Sequence, residues 1–560
     1  MRKEIVHQGQ NSALKANART VSRQERGAIE SAGVNFPRRL SSAAKEDTSA
    51  WLTLSVTAIC GSIGALIVIF ATPWGIGVTT DSTVYIGVAR NFLKGYGFFH
   101  APGAPLTHYP PLYPFALSLS NLIGLDPLDG ARWIQAILFG MTVSLSGLIL
   151  YRETGGLTIA VVVGLLFLLS SSTMTYIYSF AWSEGLFIFF TLAGFLALGE
   201  YIEKSKFPIL VTSSIFIGFA FLTRYIGICS VVSGCLCILL LSRLDSSKKY
   251  IAVTVFCTIS LLPISIWIIR NRLLAGTLTN RAVTNHPVSH EHVNEAVSTF
   301  SSWLFMPQEW PVYVREALLI CFVAICLTGY AFLLRDHVRA KDGIQHNRTL
   351  YFPSLSIMFV IVYILFLIIS ISFIDAHTPL DDRILSPLYP VIIIGVLCLF
   401  HRLSTTHMKD DHRSIAFVCI SILCIVSQLN STIPLISSLH YKGTGFTGKH
   451  WKYSNLIGIV KSLPNNSIIY TNGPDAIDIL TGKSSKMLPS KSNPSTLLTN
   501  DTFPSELAEV IRYINSGEAV LVYFNMITWR WYLPSREELI GNLNARVLYQ
   551  GWDGIVCGMR

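Results

Sequence analysis

Along most of the chain, polar residues are confined to short intervals between long apolar runs. A membrane-crossing helix needs about 20 mostly apolar residues in succession. Charge-free runs near that length fall at 52–72, 133–151, 157–175, 185–199, 207–223, 225–242, 251–269, 317–334, 351–373, 384–400 and 414–429. The pattern predicts a polytopic α-helical membrane protein with about eleven spans. The two runs flanking Arg224 are short, so a bent or re-entrant hairpin is an alternative there. Residues 1–50 are polar and rich in Ser, Ala and Arg, and they lack the apolar core and small-residue cleavage site of a signal peptide. They are expected to form a disordered tail before a retained first span. Residues 435–560 change character. Short strand-like segments at 467–470, 519–524, 546–549 and 555–558 alternate with helical patterns at 453–463, 476–480 and 505–515. Pro464, Gly473, Pro474, Gly482, Pro504 and Gly517 stand at the joints. This region is expected to be a small α/β domain outside the bilayer. The main membrane domain is then 51–430, with a first outer loop at 73–132. No internal repeat is visible.

Composition agrees with a bilayer. The chain is 51% hydrophobic and 14% charged, against about 25% charged in soluble proteins. Ten of the eleven cysteines lie inside apolar runs, as small buried hydrophobes rather than a disulfide framework. The formal charge of +10 would suggest nucleic acid in a soluble protein. Its distribution says otherwise. With the tail taken as cytoplasmic, the loops on its side hold Arg152, Lys204, Lys206, Arg243, Lys248, Lys249, Arg335, Arg339, Lys341, Arg348, Arg402, Lys409 and Arg413. The tail adds nine more Lys and Arg residues. The opposite side is poorer in both, which is the positive-inside asymmetry. Much of the charge is therefore topological, and a nucleic-acid role has nothing else behind it. An odd number of spans puts the C-terminal domain on the non-cytoplasmic side.

The same topology brings a set of ionisable residues to that outer surface: Asp81, His108, Glu184, Arg224, Arg270, Asp381, Asp382 and Arg383. Each has an ordinary explanation. Asp81 precedes Tyr85, Val88, Ala89 and Phe92 at amphipathic spacing, ended by Gly95, and could simply cap a surface helix. Glu184 could mark the start of a span. Arg224, Arg270 and Arg383 could snorkel to headgroups. Tyr109 and Tyr113 fit an interfacial aromatic belt. The chain contains no Walker A loop, HExxH, paired CxxC or GxSxG.

The order of motifs nevertheless carries a resemblance. After the first run come Asp81-Ser82-Thr83-Val84-Tyr85, then Asn91-Phe92-Leu93-Lys94-Gly95-Tyr96-Gly97, His108-Tyr109-Pro110-Pro111-Leu112-Tyr113-Pro114, and Ala131-Arg132. Trp182-Ser183-Glu184, Leu222-Thr223-Arg224-Tyr225-Ile226-Gly227, Ile269-Arg270-Asn271-Arg272 with Gly276 to Arg281, and Asp382-Arg383-Ile384-Leu385-Ser386-Pro387-Leu388-Tyr389-Pro390 follow. Over 52–400 this resembles the GT-C glycosyltransferases of the protein O-mannosyltransferase and aminoarabinose-transferase type, especially bacterial family-39 and Rgt-like groups. Two departures stand out. Many relatives have adjacent acids where this chain has Asp81-Ser82, and some have Lys before the Pro-Pro where this chain has Tyr109.

The resemblance implies an inverting transfer of a sugar from a polyprenyl-phosphate donor to a glycan, lipid or protein acceptor. It implies Asp81 as general base and Glu184 as a second catalytic residue that orients the acceptor or shares the base role. Arg224, Arg383 and Arg270 would hold the donor phosphate, and His108, Tyr109 and Tyr85 would line the substrates. The implied setting is the plasma membrane, with the site on the extracytoplasmic face. A divalent metal remains open from the family, although no ligand-spaced cluster stands in the sequence. Alternatives of another class are a flippase for lipid-linked sugars, or a glycan ligase or polymerase. Transporters tend to place charges at midplane and to show internal repeats, which this chain does not.

Overall fold

The computed structural model describes residues 50–101, 104–156, 158–339, 350–407, 411–541 and 543–558. The expected cytoplasmic tail, apart from Ala50, lies outside these, as do Lys341, Arg348 and Lys409. Among the described residues, seven helices are long and apolar enough to cross a membrane: Ala50–Ala71, Pro127–Thr154, Glu184–Lys204, Ser246–Ala275, Val312–Arg335, Tyr351–Phe373 and Phe417–Lys442. An eighth results if the pair Ile159–Leu169 and Ser172–Tyr178, bent by 55°, is one span. The shorter apolar helices Phe207–Thr223, Tyr225–Leu241 and Leu388–Ser404 occupy the three remaining expected positions. The apolar pattern expected one unbroken run at 157–175. The break comes from serine chemistry: Ser171 caps the second helix by accepting from the Met174 amide at 3.2 Å, and Ser170 donates to Gln428 at 2.6 Å. Arg224 forms the joint between its two helices in extended backbone (φ −147°, ψ 139°).

These helices are not a water-soluble bundle. Ile320 and Ile325 are 68% and 71% exposed on one of them. Contiguous apolar surface of this kind needs lipid around it. Inside the bundle, small residues let helices approach closely. A Cβ on Gly61 would lie 2.6 Å from the Gly140 carbonyl oxygen of the neighbouring helix.

The two ends of the bundle carry separate ion clusters. At one end Arg152 pairs with Glu153 (2.5 Å) and Glu203 (3.1 Å), where the chain turns between helices ending at Thr154 and Lys204. At the other end lie Asp81, Glu184, Arg224 and Arg383. The α/β unit sits at this second end, after a helix that runs on to Lys442. Two strands in the segment between the first two long helices, β1 (Phe99–Ala101) and β2 (Ala104–Pro105), form a small hairpin. The C-terminal sheet comprises β3 (Ile468–Thr471), β4 (Lys486–Met487), β5 (Ala519–Phe524), β6 (Arg546–Gly551) and β7 (Gly554–Gly558), in the order β4-β3-β5-β7-β6. β3 is parallel to β4 and β5, and β7 runs antiparallel to β5 and β6. β5 and β7, central in the sheet, are mostly buried and rich in Val, Ile and Leu, as sheets covered on both faces require.

The segment after the first span is clamped from both sides. Gly77 exchanges backbone hydrogen bonds with Ser179 and Ala181, each at 2.8 Å. On the other side the Phe446 amide donates to the Val78 carbonyl at 2.8 Å, and the Thr447 hydroxyl to that of Ile76 at 2.6 Å. Asp81 and Glu184 are thereby set a few residues beyond a shared strand-like register. Gly445 has φ +60°, and a Cβ there would sit 2.3 Å from the Val78 carbonyl oxygen. Gly445→Ala is therefore expected to destabilise the protein by roughly 2–3 kcal/mol. Thermal unfolding in detergent checks this, and an unchanged melting temperature would mean that the crossing is not tight.

Candidate functional site

Asp81 lies in the first turn of the helix Thr80–Leu93. It is not that helix's cap. The N-cap is Thr79, whose hydroxyl accepts from the Trp182 indole at 2.8 Å. The Asp81 carboxylate faces two different partners. Oδ2 accepts from Arg383 at 2.6 Å, and Oδ1 accepts from the Tyr109 hydroxyl at 2.7 Å. Arg383 in turn donates through Nε to Glu184 Oε1 at 2.7 Å. Arg224 reaches the same oxygen at 2.7 Å and the Ser183 hydroxyl at 3.0 Å. Four charges from four distant parts of the chain thus form one connected group, with two carboxylates against two guanidiniums.

Local sequence explains how each arrives. Glu184 opens its helix, with the Trp182 carbonyl ahead of it accepting from Gln135 at 2.5 Å. Arg224 ends the helix Phe207–Thr223. Arg383 belongs to the short helix Asp382–Leu385, which Asp381 caps by accepting from the Arg383 and Ile384 amides. Asp382 is held separately by Thr173 (2.6 Å) and the Trp303 indole (3.0 Å). Arg383 also lies over the Trp182 ring, 4.3 Å from its centroid.

The members differ in access. The Glu184 side chain is fully buried, whereas those of Asp81, Arg224 and Arg383 keep 24%, 19% and 19% exposure. A buried carboxylate is tolerable only when it is paired, and Glu184 has two cations. Burial alone would raise the Asp81 carboxyl. The Arg383 charge, hydrogen bonds from Tyr109 and Arg383, and the Arg224 charge outweigh it and hold the group below its usual range. The carboxylate is therefore ionised throughout neutral pH and able to accept a proton.

The sequence-predicted residues fall into two sets. Asp81, Glu184, Arg224, Arg383 and Tyr109 are brought together. Tyr85 joins them, packing edge-on against Tyr109 and lying 3.4 Å from the Ser183 hydroxyl. His108 stands one step out, with its ring against Tyr109 at 4.7 Å and its Nε2 3.3 Å from Arg281. Burial and then the Arg281 charge push it down to about 4, so it is neutral near pH 7. Arg270 stands apart. It donates to the carbonyls of Leu106 (2.7 Å) and Phe98 (3.0 Å) and stacks on Trp267 at 4.5 Å, fastening the first outer loop. Sequence reasoning assigned no role to Arg281 or Ser183, although both lie within quoted motifs. Among the described residues, no group of three or more His, Cys, Asp or Glu side chains is close enough to hold a metal ion.

Residues 108–267 match the family described as dolichyl-phosphate-mannose-protein mannosyltransferase. The whole fold is similar to that of ArnT from Cupriavidus metallidurans bound to undecaprenyl phosphate, at 14% identity and a TM-score of 0.53. That match covers 91% of this chain and 98% of that one. It is also similar to the archaeal oligosaccharyltransferase AglB from Archaeoglobus fulgidus, in complex with an inhibitory peptide and a dolichol-phosphate. There the identity is 12% and the TM-score 0.50, over 85% of this chain and 69% of that one. At these identities the likeness is one of fold. No curated protein matches the chain.

The lowered carboxyl gives a signed prediction. A group whose folded pKa is depressed stabilises above its unfolded value and loses that contribution as pH falls through the folded value. The melting-temperature difference between wild type and Asp81→Asn is expected to be flat from about pH 5 to 8. It should shrink only below the ordinary 3.8 of an aspartate. Shrinkage already at higher pH would show that Arg383 and Tyr109 do not hold the carboxylate as drawn.

Proposed function

We propose that the chain is a membrane glycosyltransferase of the GT-C class, a reading supported by the family match over residues 108–267 and the shared fold, and that its four-charge cluster transfers a sugar from a polyprenyl-phosphate donor to an acceptor hydroxyl. The observation that carries this reading is two partly accessible guanidiniums on one buried glutamate, with a partly accessible carboxylate joined to it through Arg383. Arg224 and Arg383 bind the donor phosphate. Guanidinium meets phosphate oxygens bidentately, through charge-assisted hydrogen bonds, and each arginine retains N–H groups beyond those that hold Glu184. Asp81 accepts the proton of the attacking hydroxyl. Glu184 positions both arginines and does not itself meet substrate. Tyr109 orients Asp81.

This set is sufficient for the chemistry. A polyprenyl phosphate leaves as a stabilised anion, so no strong acid is needed. Hydrolysis of ordinary glycosides differs, since the alkoxide leaving group calls for a second, acidic carboxyl. One displacement at the anomeric carbon inverts it. The bond from that carbon to the phosphate oxygen breaks, the bond to the acceptor oxygen forms, and the proton passes to Asp81. The acceptor is a glycan, lipid or protein hydroxyl. The Lys and Arg asymmetry supports an extracytoplasmic site in a multi-pass plasma-membrane protein, with the α/β domain on the same side.

Asp81→Asn is expected to lower kcat by roughly 10²–10⁴-fold, the usual range for a lost general base, at unchanged expression. Near-normal turnover of a radiolabelled polyprenyl-phosphate sugar would remove Asp81 from this role. Arg224→Ala is expected to raise KM for the lipid donor about tenfold or more, as loss of a charged hydrogen bond does. Unchanged donor kinetics would count against the phosphate contact.

A further inference from the structure

Buried polar atoms without a hydrogen-bond partner are rare, because each gives up water and receives nothing in return. One stretch of the outer loop holds four of them: Arg281 Nε, Thr284 Oγ1 and both ring nitrogens of His286 find no partner among the described residues. His286 is only 8% exposed. The backbone of this stretch is fixed. The Thr284 amide donates to the Phe373 carbonyl at 3.0 Å, and the His286 amide to that of Ser372 at 2.9 Å. Its backbone is thus held in place, yet Arg281 Nε, the Thr284 hydroxyl and the His286 ring are unsatisfied.

The stretch lies next to the reactive carboxylate. Arg281 stands 3.3 Å from His108, His108 packs on Tyr109, and Tyr109 donates to Asp81 Oδ1. On the outer side Arg281 reaches Asp375 at only 3.5 Å, long for a charge-assisted contact. The His377 amide donates to the same Asp375 side chain at 3.3 Å, and the His377 ring meets Trp531 edge-on at 6.1 Å. Trp531 is half exposed, on a loop of the α/β unit.

We propose that Arg281, Thr284 and His286 form a binding subsite for the hydroxyl groups of a saccharide acceptor, with Trp531 as its outer lip. The proposal rests on the transfer reading above. Two arguments select this ligand. The first is position. In a displacement the acceptor attacks opposite the leaving group. Arg383 takes Oδ2 of Asp81 on the phosphate side, and the path to Arg281 departs from Oδ1 on the other. The second is chemistry. A sugar hydroxyl both donates and accepts, and the orphaned groups are a donor N–H, a hydroxyl and an imidazole that does both. The exposed indole supplies an apolar face with a polar tip, suited to a sugar ring. A serine or threonine of a peptide would offer one hydroxyl and leave the other groups unpaired.

Saturation-transfer NMR on the full-length protein in detergent tests this without any donor. Methyl α-mannoside, methyl α-glucoside and methyl α-galactoside are the probes, each with a Ser/Thr-containing peptide as competitor. At least one glycoside is expected to bind. Thr284→Val and His286→Leu should each weaken it about tenfold, the effect of losing one good hydrogen bond. Melting temperature separates misfolding from lost contact, and Thr284→Val, being nearly isosteric, is the safer variant. No glycoside binding, equal binding by variants that melt like wild type, or displacement by the peptide alone would overturn the subsite. If glycosides bind and the variants lose them, but wild type transfers nothing from any of a panel of polyprenyl-phosphate sugars (mannose, glucose, galactose, arabinose and aminoarabinose), the transferase reading fails while the subsite stands.

Discussion

A carboxylate removed from water needs cations, and two guanidiniums brought close together need an anion. Glu184 meets both demands at once. Its buried oxygen receives Arg383 and Arg224, each at 2.7 Å. The two arginines come from segments 159 positions apart (383 − 224), and without the shared carboxylate their charges would repel. Buried pairs of this kind are weak evidence for net stability, because desolvation offsets much of the attraction. Their better-supported consequence is geometric: removing either partner strands a buried charge, so the helix ends carrying them have one acceptable arrangement. Asp81 then adds the second negative charge at the exposed edge, where solvent and ligands can reach it. The two acids are of similar chemistry, and environment separates their roles. In the proposed reaction the fully buried one organises, and the partly exposed one reacts.

Much of this was legible in the chain because the bilayer simplifies the reading. Apolar runs set the spans, the spans set which loops face together, and the ionisable residues at one face then become a short set. Asp81, Glu184, Arg224 and Arg383 were reachable in that way, and the structure joins them. What periodicity could not give is direction. Arg270 shares the same face as Arg224, but its side chain turns to the carbonyls of Phe98 and Leu106. Nothing local to residue 270 distinguishes the two. The ordinary explanation for Asp81, a helix cap, was equally consistent with spacing and fails only because Thr79 holds that position. Four of the five strands of the α/β unit were visible from alternation and Gly/Pro punctuation; the two-residue β4 was too short to show, and the order in the sheet depends on contacts far apart in sequence. Thr284 and His286 gave no signal, and Arg281 stood in a motif without a role, since an unsatisfied polar group is defined by what surrounds it.

The clamp on residues 76–78 links the α/β unit to the four-charge cluster. This short segment hydrogen-bonds to Ser179 and Ala181 on one side and to Phe446 and Thr447 on the other. The same few residues lead directly into Asp81, and Phe180 leads into Trp182 and Glu184. Packing of the C-terminal unit against the membrane domain is therefore coupled to the register of both acids. Precision in such a site comes from rigid support behind the reacting groups, and here the support is backbone pairing rather than side-chain contact.

On the proposed reading, the site's place at the end of the bundle follows from its substrates. A polyprenyl tail is stable only in hydrocarbon, and a sugar and its acceptor only in water, so the bond joining them must lie at the boundary. Charges are also less costly there than at the bilayer centre. The arginines end or precede spans, where a lipid phosphate would rest, and Asp81 opens a helix outside the spans. The path from Asp81 through Tyr109 and His108 to Arg281 leads away from the lipid and toward the α/β unit. Donor and acceptor would then approach one carboxylate from opposite sides, the donor from the membrane and the acceptor from the aqueous loops, which is the geometry that an inverting displacement requires.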